Sequence, residues 1–247
     1  MRGLLKLTWL EIRIFVREPL GFVAAVGVPL AMFLVLGRSV TPGTDHSART
    51  TQFLTQDLPL FISIFISINA ALSLIAVISI YREGGILKRL RATPLRPAVI
   101  LGAHVLVKLF FTGISLALTV LAGRRFYPVA LHAHVAEFAL AVVVTTVAIL
   151  CMGFVVASWV GTARFAQLIG SVVFYPMLVV SGMFVPLSSM PQPLAVLGNV
   201  LPMSHAVALL RGAWVGVSWL ELLPHLGALA LTIVICLALT TRVFRWE

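Results

Sequence analysis

LPLFISIFISINAALSLIAVISI, residues 58–80, is a run of apolar and small side chains that contains no Asp, Glu, Lys or Arg. A helix needs about 20 such residues to cross the hydrocarbon core of a membrane. Five further runs are long enough: 20–37, 98–123, 135–160, 165–185 and 222–241. The runs are continuous rather than alternating, which argues against the strands of a β-barrel. The sequence therefore predicts an all-α integral membrane protein with six transmembrane helices.

The overall composition favours the same class. Hydrophobic residues make up 60% and charged residues 11% of the 247 residues, whereas soluble chains have about 45–50% and about 25%. This composition argues against a cytosolic enzyme, a disordered tail and a disulfide scaffold. We attribute the net charge of +10 to basic residues that keep loops in the cytoplasm and contact anionic membrane lipids, and not to nucleic-acid binding.

The distribution of basic residues predicts the orientation. Lys and Arg concentrate in the segments 2–17, 82–96 and 242–245 and at Arg164, whereas the loops of the other side carry fewer. Cytoplasmic loops carry the excess of positive charge in membrane proteins. We therefore expect both termini in the cytoplasm.

Residues 1–19 form a separate segment ahead of the spans. Arg2, Lys6, Arg13 and Arg17 fall on one helical face, and Pro19 interrupts the pattern. This pattern predicts an amphipathic helix lying at the membrane interface, and the alternative is an N-terminal extension of the first span. Residues 20–247 then form a single six-helix domain.

The stretch 186–221 is ambiguous between a seventh span and two short helices. Asn199, Pro202, His205 and Arg211 interrupt its apolar middle. Two short helices broken near Pro202 fit these residues better. They would enter and leave the membrane on the same side, with the irregular backbone between them buried in protein, since it is not tolerated in contact with lipid. The sequence predicts an extracellular re-entrant helix pair between spans five and six.

The loop YREGGILKRLRATPLRP, residues 81–97, is strongly basic and too short for a domain. Gly84 and Gly85 favour a turn, a short amphipathic helix follows, and Thr93–Pro94 ends it. Two interpretations are open. The positive charge serves only to keep this loop on the cytoplasmic side, or the amphipathic helix also binds a protein partner.

Catalytic and metal-binding patterns are absent from the sequence. Its three lysines, Lys6, Lys88 and Lys108, do not occur in a phosphate-binding G-x-x-x-x-G-K motif. No catalytic triad, metal site or span-centre carboxylate is found, so neither enzyme activity nor proton coupling through a carboxylate is predicted. Lys108 is expected to face a cavity or partner, or to extend to the inner interface.

Several motifs together resemble the permeases of ABC-2 type transporters. Residues 82–95 are similar to the family's Arg-Glu, Gly and basic Leu-rich helix closed by Ala-Thr-Pro-Leu. SGMFVPLSSMP (181–191) and NVLPMSHAVALLRG (199–212) resemble its Pro-Leu, Met-Pro and Arg-Gly patterns, and TARFAQ (162–167) fits its short inner turn.

The resemblance implies roles for named residues. Segment 82–97 would be the coupling helix, the N-terminal helix would be the connecting helix beside it, and 186–221 would close the exit. The implied contact with the ATPase involves Arg82, Glu83, Gly84, Leu87, Lys88, Arg89, Leu90, Arg91, Thr93, Pro94 and Leu95, with Arg13 and Arg17. The implied cargo path includes Ser63, Ser67, Asn69, Phe174, Tyr175 and Met177, although span serines more often serve helix packing. The exit segment includes Pro186, Pro191, Pro202 and Arg211.

The resemblance implies the membrane subunit of an ATP-driven exporter in a bacterial-type cytoplasmic membrane. It would pair with a second copy or a paralogue and with cytosolic ABC ATPase subunits, which would hold ATP and Mg. The chain itself would bind no cofactor and move an amphipathic or lipid-like cargo such as a drug, a lipid or a lipid-linked glycan. The alternatives are a nucleotide-independent secondary transporter or channel, and a membrane scaffold that recruits a cytosolic partner.

Overall fold

The computed structural model describes residues 2–39, 57–86, 97–126, 135–160 and 162–243. In these ranges every regular element is helical. The N-terminal helix is Arg2–Arg17, and the first span comprises Pro19–Phe22, a π-helical turn Val23–Gly27 and Val28–Ser39. The second to sixth spans are Leu58–Glu83, Pro97–Phe126, Val135–Trp159, Ala163–Val180 and Trp219–Val243. Between the last two spans lie a short 3-10 helix, Leu187–Ser189, and the helices Gln192–Val200 and Pro202–Val215.

Within the described residues, six helices are long and apolar enough to cross a membrane, which confirms the predicted number. Most boundaries differ from the predicted ones by one to three residues, and two of the differences bear on the site. The second span continues past residue 80 to Glu83, so Arg82 and Glu83 belong to its last turn. The fifth span ends at Val180 rather than at residue 185, because the chain turns at Gly182, whose positive φ of 80° suits glycine.

The spans alternate in direction, which gives the bundle two distinct ends. We call the end where the second span finishes at Glu83 and the fifth begins at Ala163 the basic end. The opposite end is where the second span begins at Leu58 and the sixth begins at Trp219.

The second and fourth spans form the centre of the bundle. Their most apolar stretches are 61% and 56% buried, against 17% for the first and sixth spans. The two helices meet at Gly153, where an added Cβ would be in ordinary van der Waals contact, 3.4 Å, with Ala71. Small residues permit such close packing of membrane helices. The outer spans therefore leave large apolar faces for lipid or another chain.

The N-terminal helix is separate from the first span, as predicted. It ends at Arg17, and Glu18 has an extended backbone before Pro19 restarts the helix. The helix packs on the third span, with the rings of Phe15 and Phe111 centred 4.5 Å apart. Several of its other apolar side chains, including Leu5, Trp9 and Leu10, are exposed, as expected of a helix at a membrane interface.

Gln192–Val200 and Pro202–Val215 form a pair of helices bent by 77° at Leu201, which we call the bent pair. This agrees with the predicted break near Pro202. Gly198 of the first helix lies against the Val180 carbonyl, and Gly212 of the second lies against Leu222. Both contacts lie at the opposite end of the bundle, so the pair leaves and rejoins the same end.

Candidate coupling and transport site

Arg82 joins the second span to the end of the fourth. Its Nη1 donates hydrogen bonds to the backbone carbonyls of Val160, at 2.8 Å, and Ser158, at 3.5 Å. The last carbonyls of a helix lack partners within it and carry partial negative charge, so a cation is favourable there. Arg82 therefore acts as a cap supplied by another helix.

Glu83 makes the complementary contact at the start of the fifth span. Its Oε1 accepts a hydrogen bond of 2.7 Å from the backbone N–H of Ala163, the first helical residue. Thr162, the residue that would ordinarily cap this helix, makes no side-chain hydrogen bond to it. A carboxylate is favourable at a helix N-terminus. The adjacent Arg82 and Glu83 thus hold both sides of the turn between the fourth and fifth spans.

Glu11 connects the N-terminal helix to the second and third spans. Its carboxylate accepts a hydrogen bond of 3.0 Å from the Tyr81 hydroxyl, and the Nε2 atom of His104 lies 3.9 Å away. Burial raises the pKa of the Glu11 carboxyl above its usual range, while the Tyr81 hydrogen bond and Lys108 act in the other direction. The N-terminal helix is therefore fixed by a directed polar contact beside Arg82.

Lys108 of the third span faces the bundle interior and is only 4% exposed. Its Nζ donates a hydrogen bond of 2.6 Å to the Ser73 hydroxyl and lies 4.4 Å from the centre of the Phe15 ring. The structure thus favours the expectation that Lys108 faces a cavity over the one that it extends to the interface.

The cavity in question has a volume of about 420 Å³. It lies among the first, second, third and fifth spans, with Phe15 of the N-terminal helix at its edge. Polar side chains of the second, third and fifth spans line part of it, and small, aliphatic and aromatic residues line the rest; the polar ones include Lys108, Asn69, Ser73, Thr112, Gln167 and Ser171. Such a mixture of apolar wall and few polar groups is typical of ligand sites.

The residues predicted for the cargo path do not all lie together. Asn69 and Tyr175 line the 420 Å³ cavity. Ser63 and Ser67 are instead fully buried, and the Ser67 hydroxyl lies 2.9 Å from that of Thr146 on the fourth span. Phe174 is fully buried in the core, and the partly buried Met177 packs against the same core.

Only part of the predicted ATPase contact lies in the described residues. Arg82 and Glu83 contact the chain itself, and Gly84–Gly85 form the expected turn, with φ of 64° at Gly85. Arg13 and Arg17 are exposed on the N-terminal helix. The remaining residues of this set lie outside the described residues: Leu87, Lys88, Arg89, Leu90, Arg91, Thr93, Pro94 and Leu95.

At the opposite end, two of the four predicted exit residues, Pro186 and Arg211, line a second cavity, whereas Pro191 and Pro202 do not. This cavity has a volume of about 490 Å³. Pro191 directly precedes the first helix of the bent pair, and Pro202 is the first residue of the second helix, where a proline is favourable because its missing N–H would have no partner. Arg211 forms an ion pair of 3.6 Å with Asp57 at the start of the second span.

Sequence analysis did not anticipate the contacts of Arg82, Glu83 and Glu11 within the chain. Two signals pointed to them. Opposite charges stand at the end of one predicted span, and the short turn TARFAQ was expected on the same side of the membrane. Which helix ends meet at that side depends on packing, which spacing along one chain segment does not encode.

Comparisons with known proteins bear on the family of the chain. The family model described as ABC-2 type transporter matches residues 2–214. Nodulation protein J of Neorhizobium galegae is 32% identical over 94 residues, which is 38% of this chain. The match spans 36% of the length of that relative.

Proposed function

Because the chain belongs to the ABC-2 type transporter family, we propose that it is the permease subunit of an exporter driven by a separate ABC ATPase subunit. Family membership makes the chain a membrane transport subunit that is not itself catalytic. The absence of a phosphate-binding loop from the sequence supports placing ATP hydrolysis on a partner. The ATPase would carry the ATP and Mg.

The proposal places the basic end in the cytoplasm, with the segment 82–97 docked on the ATPase. The observation that carries it is the pair of contacts made by Arg82 and Glu83, the first two residues of this segment. A displacement of the segment would act on the second span directly. Through those two side chains it would also act on the fourth and fifth spans.

The N-terminal helix would move with the same unit. Glu11 binds Tyr81, one residue before Arg82, and Phe15 packs on the third span. Arg13 and Arg17 remain exposed and are proposed to contact the ATPase. A motion of the ATPase pair would thus reach four of the six spans at one end of the bundle.

The cargo is proposed to be amphipathic or lipid-like and to leave past the bent pair. The 420 Å³ cavity supports this proposal, since it combines polar and apolar lining. We further propose that two permease chains form the pathway together. The first and fifth spans, which are 17% and 22% buried, offer the apolar faces for such pairing.

Site-specific photo-crosslinking tests the docking. A benzoylphenylalanine would replace Lys88 or, as a matched control, Arg211 at the opposite end. The permease would be co-expressed with an ABC ATPase encoded beside it. We expect an ATPase crosslink from position 88 and none from position 211.

Two further results complete this test. Cytosolic maleimide reagents should modify a cysteine at position 88 but not one at position 211, in a background where Cys151 and Cys236 are serine. A crosslink from position 211 alone, or transport that an ion gradient drives without nucleotide, would show that the docking assignment is wrong.

A further inference from the structure

The 420 Å³ cavity contains one buried cation, and this feature specifies the cargo beyond the proposed export activity. Resting on that proposed function, we infer that the cavity binds the anionic headgroup of an amphiphile, with the Lys108 amine as its counter-charge. The relevant chemistry is an oxyanion, such as a phosphate or carboxylate, attached to an alkyl chain.

The charge of Lys108 is incompletely paired within the chain. An ammonium group has three N–H donors, and the Ser73 hydroxyl accepts one of them. Among the described residues, no carboxylate oxygen lies within ion-pair distance of Lys108; Glu11 and Glu18, which line a smaller neighbouring cavity that Lys108 also borders, attract its charge only from a greater distance. A cation held inside a membrane without an anion in direct contact is costly, so an anionic ligand in the larger cavity would be favoured.

The lining of the cavity is divided in a way that suits an amphiphile. Asn69, Gln167 and Ser171 add hydrogen-bonding groups to the cavity that Lys108 borders. Ala24 and Ala25 of the first span and the ring of Phe111 add apolar surface. A headgroup would bind at the polar groups while its chain packs along the small side chains, which leave room for it.

The cavity opens on the face formed by the first and fifth spans, which is the face proposed for pairing with a second chain. Tyr175 at its edge is 44% exposed, and Gln167 is exposed as well. The first span, which forms another side, is among the least buried helices. An amphiphile can therefore reach the cavity from the space between the two chains. A cationic amphiphile would be repelled by the Lys108 amine, and a neutral one would gain no ion pair.

Photolabelling in nanodiscs tests the inference without the ATPase. The probes are diazirine-bearing phosphatidic acid and diazirine-bearing phosphatidylcholine with identical chains. We expect phosphatidic acid to label peptides of the first and third spans, and Lys108→Met to lower this labelling about tenfold, the loss expected for one charge-assisted hydrogen bond. Lys108→Arg, which keeps the charge, should retain most of the labelling.

A merely structural role of Lys108 gives a different pattern. In that case Lys108→Met would lower the melting temperature and change labelling by both probes alike. Equal labelling by the two probes, or labelling by phosphatidic acid that Lys108→Met leaves unchanged, would overturn the inference.

Competition on the wild-type chain serves if Lys108→Met does not fold. Dodecyl phosphate should displace the phosphatidic acid probe, whereas dodecyltrimethylammonium at the same concentration should not. Inorganic phosphate should compete far more weakly; equal competition would show a free-phosphate site and contradict the amphiphile. The two proposals can fail separately. If labelling depends on Lys108 but no ABC ATPase supports transport by the chain, the binding site is supported and the proposed export is refuted.

Discussion

The two ends of the bundle are held together by different kinds of contact. At the basic end, Arg82 and Glu83 bind backbone groups of other helices, and Glu11 binds Tyr81. At the opposite end, glycines let helices pack against carbonyls and leucines, as at Gly198. One hydrogen bond there, 3.0 Å between the Nδ1 atoms of His205 and His225, joins the second helix of the bent pair to the sixth span. The ion pair there, Arg211–Asp57, is 45% and 35% exposed, and such pairs contribute about 0–1 kcal/mol.

This difference has a mechanical consequence. A directed hydrogen bond fixes the relative orientation of two helices, so neighbouring helix ends move as one body. Apolar packing fixes separation but permits sliding, and it resists any added volume. The helix ends at the basic end are therefore suited to transmit a displacement. At the opposite end the helix Gln192–Val200, which is held by packing at Gly198, is suited to a change of packing that opens and closes an exit.

The largest expected effect is that of Gly198→Ala. A Cβ there would lie 2.9 Å from the Val180 carbonyl oxygen, which is backbone and cannot rotate away. We expect a loss of about 1–3 kcal/mol in the free energy of unfolding, as for other overpacked sites. Unfolding in detergent measures it. Gly113→Ala is the matched control, because nothing lies within 4 Å of its added Cβ, and similar losses in both variants would refute close packing.

Arg82→Ala should have the next largest effect. It removes a charged donor from the carbonyls of Val160 and Ser158. We expect the free energy of unfolding to fall by about 1.5 kcal/mol, which is the low end for a hydrogen bond to a charged group. The low end applies because Arg82 is only half-buried. Coupling should suffer more than stability, with transport lost while the complex still hydrolyses ATP. Arg82→Lys should be intermediate. Normal transport in Arg82→Ala would contradict the claim that hydrogen bonds at the basic end transmit the motion.

Ser67 and Thr146 provide a reference in the centre of the bundle. Their hydroxyls lie 2.9 Å apart between the second and fourth spans. A double-mutant cycle with Ser67→Ala and Thr146→Val should give a coupling energy of about 0.6 kcal/mol, the average for membrane proteins. A much larger value would mean that polar contacts hold the centre as well as the basic end.

Glu11 should give the smallest effect, seen as a dependence of stability on pH. Its raised pKa means that the folded chain favours the protonated carboxyl. This contribution is fully present below the ordinary pKa of a glutamate and is lost as the pH rises through the raised value. Glu11→Gln should flatten the slope of melting temperature against pH in that window. An unchanged slope would show that the Glu11 carboxyl does not titrate as described.

The six spans were predictable because each is a continuous apolar run, a property of one segment alone. The bent pair was predictable for a similar reason, since Pro202 lies in the sequence where the helix breaks. The contacts of Arg82 with Val160 and of Glu83 with Ala163 were not, because they depend on which helix ends become neighbours. The same holds for Ser67, whose packing role depends on Thr146 of another span.

Distances between spin labels at each end test the central claim most directly. Labels would replace Ile86 and Arg164 at the basic end, and Leu197 and Leu220 at the opposite end, all exposed. Cys151 and Cys236 would be serine, and labelled chains would be diluted with unlabelled ones. On ATP binding by the partner, the distance between positions 86 and 164 should stay constant while that between 197 and 220 changes. A change at the basic end with none at the opposite end would contradict the account.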